Sequence, residues 1–190
     1  MLDEGEKQFA HSGYRGVSLR EVAAAAGVHP NTIQHHFGSK HGFFEAVVCR
    51  WDQELMNRVA RIAPEEPGAD EIIGELFEFF VEHRDWVAVT AWSALGDGPP
   101  GHAALQDRRW IELMEKTADG RGVDFDPGLL LITVEGILNH HVLSTEHYRE
   151  LFGKDLSDPE LRARTRDHLV RVVGAIVASG SRPSPGGKRV

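Results

Sequence analysis

The stretch Ser18 to Lys40, SLREVAAAAGVHPNTIQHHFGSK, constrains the fold of this chain more than any other. It reads as two short helices separated by a tight turn and followed by the start of a third. Ser18 with Glu21 three residues on is the pattern of a capping box, in which each side chain satisfies a backbone N–H at the helix start. Val22, Ala23 and Ala26 then share a face, and Ala23 is small enough for a second helix to cross closely. Gly27 supplies the left-handed backbone that ends a helix without strain, and Val28 drops into the core of the turn. Pro30, its φ already set, suits the first position of the next helix. In that helix Ile33 and Phe37 face inward at i and i+4, which leaves Asn31, Thr32, Gln34 and His35 outside. These four are hydrogen-bonding side chains of the kind that reach base edges and phosphates.

The longer run FAHSGYRGVSLREVAAAAGVHPNTIQHHFGSKHGFFEAVV resembles the DNA-binding domain of the tetracycline-repressor (TetR) family, over about residues 1–50. The matching motifs are Phe9-Ala10-x-x-Gly13-Tyr14, the Ala26-Gly27-Val28 turn, and His35-His36-Phe37-Gly38-Ser39-Lys40 leading into a long fourth helix. The resemblance implies an all-α chain. A three-helix helix-turn-helix DNA-binding domain would occupy residues 1–46, and a helical effector-binding and dimerisation domain residues 47–179. Asn31, Thr32 and His35 would then reach base edges or adjacent phosphates, and Ser18, Gln34 and Lys40 would hold the DNA backbone. His36 and Phe37 are read as packing residues.

Some positions depart from the family pattern. Gln34 stands where these proteins usually carry a Tyr that touches a phosphate, and His29-Pro30 replaces the usual small cap and basic residue. Family members usually carry a short, often basic segment ahead of the first helix, whereas this sequence opens almost inside it. Gly5 costs that helix ~1 kcal/mol relative to Ala, so the first helix is expected to fray.

The net charge of −8 fits a DNA-binding protein only when it is divided by region. Residues 1–50 carry five Lys/Arg and five Asp/Glu, besides five histidines, so the whole excess of negative charge falls on residues 51–190. The distal body would repel DNA and leave the helix-turn-helix face as the acceptable one. Few cations also imply a modest salt dependence, because each neutralised phosphate adds only ~0.9 to the slope. The sequence contains no membrane span and no basic, apolar leader. Its one cysteine, Cys49, suits a reducing compartment. A cytoplasmic protein is the expectation.

Beyond residue 38 the pattern is helical throughout. Ser39 caps a helix of roughly 35 Å running to about Ile62, which ties the DNA reader to the body. Pro64 to Gly68 interrupts it. A fifth helix opens at Asp70, a short sixth covers residues 85–95, and a seventh covers 102 to about 118 after the break at 96–101. Asp126-Pro127 and Asp158-Pro159 are two cap-then-proline starts for the last two helices. Those helices are apolar on more than one face and so need two neighbours. The family resemblance makes the pair a homodimer interface, with Leu138, Val142, Leu169, Val172, Val173 and Ile176 as its residues. The tail 180–190 has nothing to bury and is expected to be disordered.

Trp86, Trp92 and Trp110, with Phe77, Phe80 and Met114, belong to helices that surround a ligand cavity in the resembled family. Apolar walls with few polar groups suit a small hydrophobic or aromatic effector. The histidines do not form a metal-ligand set: His140 and His147 share a face at i, i+7 without a completing ligand. No cofactor is expected. No phosphate loop, nucleophile elbow or His-Glu-x-x-His motif is present, so catalysis is not expected either. The reading is a dimeric regulator, a repressor by analogy, whose partners are a pseudo-palindromic double-stranded DNA operator and a small-molecule effector. The alternative is a protein-interaction module of the same fold that has lost DNA.

Overall fold

The computed structural model describes residues 1–62, 69–99, 108, 110–112 and 126–179. All regular structure among the described residues is α-helical. In chain order the helices are α1 (Leu2–Gly16), α2 (Leu19–Ala25), α3 (Pro30–Phe37), α4 (Lys40–Ile62), α5 (Ala69–Glu82), α6 (Arg84–Ala94), α7 (Pro127–Leu143), α8 (Thr145–Phe152) and α9 (Pro159–Ser179). The expected seventh helix lies mostly outside the described residues, although 110–112 are helical. Met114 and the tail 180–190 also lie outside them.

The local signals act as their chemistry requires at most helix ends. The Ser39 hydroxyl accepts from the Gly42 N–H at 3.1 Å and starts α4. Asp126 accepts from Leu129 N–H at 3.0 Å to start α7, and Asp158 from Leu161 N–H at 2.8 Å to start α9. The capping box does not form. Ser18 occupies the N-cap position with extended backbone, but its side chain makes no capping hydrogen bond, and Glu21 is exposed. Helix α8 was not foreseen. It is bounded by Ser144 and by Gly153 in the left-handed conformation.

One continuous core runs through the chain. Phe9, Val22, Ile33, Phe43, Phe44 and Val47 fill its N-terminal end, and Phe77, Phe79, Trp86, Leu138 and Leu169 its distal end. Phe44 stands edge-on to Phe9 at 5.0 Å and to Tyr14 at 5.2 Å, the arrangement that ring quadrupoles favour. Helix α4 spans both ends. In the body α5 packs against α9, and α7 packs against α5 and α6. Ion pairs reinforce these contacts: Arg58 of α4 reaches Glu75 at 3.4 Å and Glu82 at 2.9 Å on α5, and Arg162 of α9 pairs with Glu78 of α5.

Gly5 is a packing residue. A Cβ there would lie 2.5 Å from the ring of Phe43, which is fully buried. The same turn of α1 is pinned by Arg50 of α4, which binds Asp3 at 2.6 Å and also Glu6. The Trp51 indole N–H donates to Glu6 at 2.5 Å. Arg50 holds the Asp3 carboxyl below its ordinary pKa. These contacts oppose the fraying expected from glycine propensity alone.

Candidate nucleic-acid interface

The turn between α2 and α3 is a Schellman motif. Gly27 takes φ +67°, its N–H reaches the Ala24 carbonyl at 3.2 Å, and the Val28 N–H reaches Ala23 at 2.9 Å. This closes the last turn of α2 and sends the chain sharply into α3. Pro30 is the first residue of α3, and the N-cap is His29, whose Nδ1 accepts from the Asn31 N–H at 3.2 Å. A residue that departed from the family pattern thus performs the capping function itself.

Helix α3 is seated from below. Ile33 is fully buried, and Phe37 meets Phe43 edge-on at 5.1 Å. Asn31, Gln34 and His35 are exposed, and Thr32 is half-buried. His36 is also exposed, against the packing role expected of it, with its ring between those of His35 and Phe37. The outer face of α3 therefore carries an amide, an imidazole and a second amide within about one turn, a set able both to donate and to accept.

The cations are mostly committed elsewhere. Lys7 pairs with Glu4 at 3.0 Å, Arg50 with Asp3 and Glu6, and Arg15 with Asp97 at 3.5 Å. The Lys40 amine lies 4.8 Å from the centre of the Tyr14 ring and donates to the Arg15 carbonyl at 3.4 Å. Burial lowers its pKa, and the charge of Asp97 opposes that shift. Arg20, which the sequence reading did not single out, is exposed on the first turn of α2, two residues from half-buried Ser18.

The aromatic residues of the body divide into two places. Phe77, Phe80 and Trp86 are buried. The Trp86 indole donates to the Val48 carbonyl of α4 at 3.1 Å and stands edge-on to Phe79 and Phe80. Trp110 is half-buried and donates to Asp52 of α4 at 3.3 Å. Trp92 is set apart at the joint with α1, 42% exposed, its indole donating to the Ala10 carbonyl. An opening of about 490 Å³ involves different residues, among them Arg84, Leu143, Glu146, His147 and Arg149. Its rim is charged and carries none of the expected aromatics.

Four of the six residues expected at a dimer interface are interior to a single chain. Leu138, Val142, Leu169 and Val173 belong to the buried core, so a partner cannot reach them. Ile176 is half-buried, and Val172 is 38% exposed. The outer face of α7 instead shows Leu129 and Ile132, each 67% exposed. Among the described residues no group of histidine, cysteine and carboxylates is placed to hold a metal ion, and no helix is long and apolar enough to cross a membrane.

Residues 1–47 match the family model described as bacterial regulatory proteins, tetR family. The HTH-type transcriptional repressor AcnR of Corynebacterium glutamicum is 32% identical over 89 residues, a stretch covering 47% of this chain and 44% of that repressor. The fold is similar to that of a transcriptional regulator from Rhodococcus sp. Rha1, with a TM-score of 0.71 at 20% identity over 97% of both chains. It is also similar to the ketosteroid transcriptional regulator KstR2 of Mycobacterium tuberculosis, with a TM-score of 0.65 at 16% identity over 93% of this chain and 92% of that one. The helix-turn-helix seated as described thus lies within a segment, residues 1–47, that matches the tetR family of bacterial regulatory proteins, and the all-α body behind it shares its fold with solved transcriptional regulators.

Proposed function

We propose that the protein represses transcription as a homodimer, binding a pseudo-palindromic operator and leaving it when a small hydrophobic or aromatic effector enters the body. Residues 1–46 are the reading head, 47–179 the effector-binding and dimerisation body, and 180–190 the tail. The observation that carries this reading is α3. Its Ile33 is locked in the core while Asn31, Gln34 and His35 project outward from a capped, pre-formed helix. A rigid helix presenting polar side chains is what direct base readout needs.

Asn31, Thr32 and His35 read bases, and Ser18, Gln34 and Lys40 hold phosphates. Lys40 must leave the Arg15 carbonyl to do so. The partner docks on the outer stripe of α7, where Leu129, Ile132 and Gly136 are exposed at i, i+3 and i+7, together with Val172 of α9. The symmetry fits the task, since two heads must sit about 34 Å apart, or a longer multiple, to enter successive major grooves. Phe77, Phe80, Trp86, Trp110 and Met114 remain the candidate effector wall. An effector acts only through its differential affinity for two states, typically worth ~1–3 kcal/mol of coupling.

A second reading, a protein-interaction module of the same fold, is favoured by the internal pairing of Lys7, Arg15 and Arg50. Competition binding separates the two. Specific DNA binding that survives excess nonspecific duplex supports the regulator, and its absence supports the module.

A further inference from the structure

Helix α1 contains a break that another part of the chain completes. Gly13 has φ +67° and ψ 176° inside α1, a backbone region that essentially only glycine occupies. Rotating the Gly13–Tyr14 peptide this far turns the Tyr14 N–H away from the Ala10 carbonyl, its acceptor in a regular helix. An acceptor is freed, and the amides after the break need new partners. Both are answered from α6 and the turn that follows it. The Trp92 indole donates to the Ala10 carbonyl at 3.1 Å, and Asp97 Oδ1 accepts from the Arg15 N–H at 3.4 Å. Asp97 also faces the Arg15 guanidinium at 3.5 Å. The fit is close, because a Cβ on Gly13 would overlap the Asp97 carboxylate.

The segment is held from its other side by the start of α4. There the Lys40 amine lies over Tyr14 and donates to the Arg15 carbonyl. Residues 10–15 are thus gripped between α6 and α4, and three of their backbone polar groups are bonded to side chains 25 to 82 positions away.

We propose that Trp92 and Asp97 are positioning residues that latch the reading head onto the body. They fix α1, and with it α2 and α3, relative to α6, so that a displacement of α6 reaches the head through α1 as well as along α4. The consequence for DNA rests on the regulator reading above; the latch itself does not.

The test uses the full chain as wild type, Trp92→Phe, Asp97→Ala and the double variant. Trp92→Phe keeps an aromatic ring, smaller than the indole, and removes the N–H, and both residues are at least partly exposed, so global unfolding is not expected. Amide hydrogen exchange is measured first, since it reports local opening. Exchange of residues 10–16 at least about 10-fold faster in the double variant, with residues 43–59 of α4 unchanged, supports the latch. Unchanged exchange at 10–16 overturns it. The same proteins are then titrated onto duplex from the region flanking their own coding sequence. About 10-fold weaker specific binding by the double variant, with nonspecific binding unchanged, supports positioning. Unchanged specific affinity despite faster exchange overturns the positioning role. Absence of DNA binding by the wild type overturns the regulator reading, while the exchange result still decides the latch.

Discussion

His29 Nδ1 accepts a hydrogen bond from the Asn31 backbone N–H at 3.2 Å, so an imidazole caps the helix that presents the polar face. Replacing His29 with Ala removes the cap and should cost about 0.5–2 kcal/mol, the usual worth of an N-cap side chain. Replacing it with Ser, whose hydroxyl can take the same N–H, should restore most of that loss. Urea denaturation of the three proteins checks this, and equal stability of the Ala and Ser variants would count against a capping role.

Gly5 separates local propensity from packing. Propensity alone says that Gly5→Ala stabilises α1 by ~1 kcal/mol. The Phe43 ring, fully buried and 2.5 Å from the new Cβ, says the opposite. Overpacking of this kind costs about 1–3 kcal/mol, so the variant should melt at a lower temperature than the wild type. A higher melting temperature would show that Phe43 can move aside.

The assembly prediction divides residues on the same helix. Ile132→Glu and Leu129→Glu alter exposed positions and should give folded monomers in sedimentation or light scattering, with little change in helical content. Leu138→Ala lies in the core and should cost about 2–5 kcal/mol, the usual cost of such a truncation, and leave the mode of association alone. Dimers that survive both glutamate substitutions would move the interface elsewhere.

Stability should fall on mild acidification. Burial, and then Arg58, lowers the pKa of His83 below its ordinary 6.5. Burial, and then the neighbouring His140 and His168, does the same for His141, whose Nδ1 lies 2.6 Å from the Tyr148 hydroxyl. The fold therefore favours both rings neutral, and the unfolded chain takes up protons first as the pH drops. Their contribution is complete above about pH 6.5 and is lost as the pH falls toward the lowered folded values. Urea midpoints at pH 7.5 and 5.5 should differ, and His83→Gln with His141→Gln should narrow the gap. A gap of undiminished size would place the pH response in other groups.

What was legible in the sequence was local. Gly27, Ser39, Asp126 and Asp158 each set a helix end through partners within five residues, and each does so in the structure. Residues whose partners are distant were not legible. Trp92 read as one more cavity aromatic because nothing nearby indicates the Ala10 carbonyl 82 positions away. Gly5 read as a weak point because Phe43 lies on another helix. The all-round apolar character of α7 does not say which stripe faces its own core, and Leu138 and Val142, expected to face a partner, are buried within the single chain. Helix α8 escaped notice because Tyr148 is its one buried residue, which leaves no apolar period to detect.

The most direct test of the account is fluorescence anisotropy of labelled duplex from the region flanking the protein's own coding sequence, titrated at two salt concentrations with excess nonspecific competitor. The account predicts specific binding with two protomers per site. The salt slope should be shallow, because Lys7, Arg15 and Arg50 are spent on internal ion pairs and each phosphate contact contributes only ~0.9. It also predicts that Asn31→Ala relaxes preference at one base position, while Lys40→Ala weakens binding evenly across sequences. Binding abolished by competitor, or equal on every duplex, would contradict the claim that α3 reads DNA.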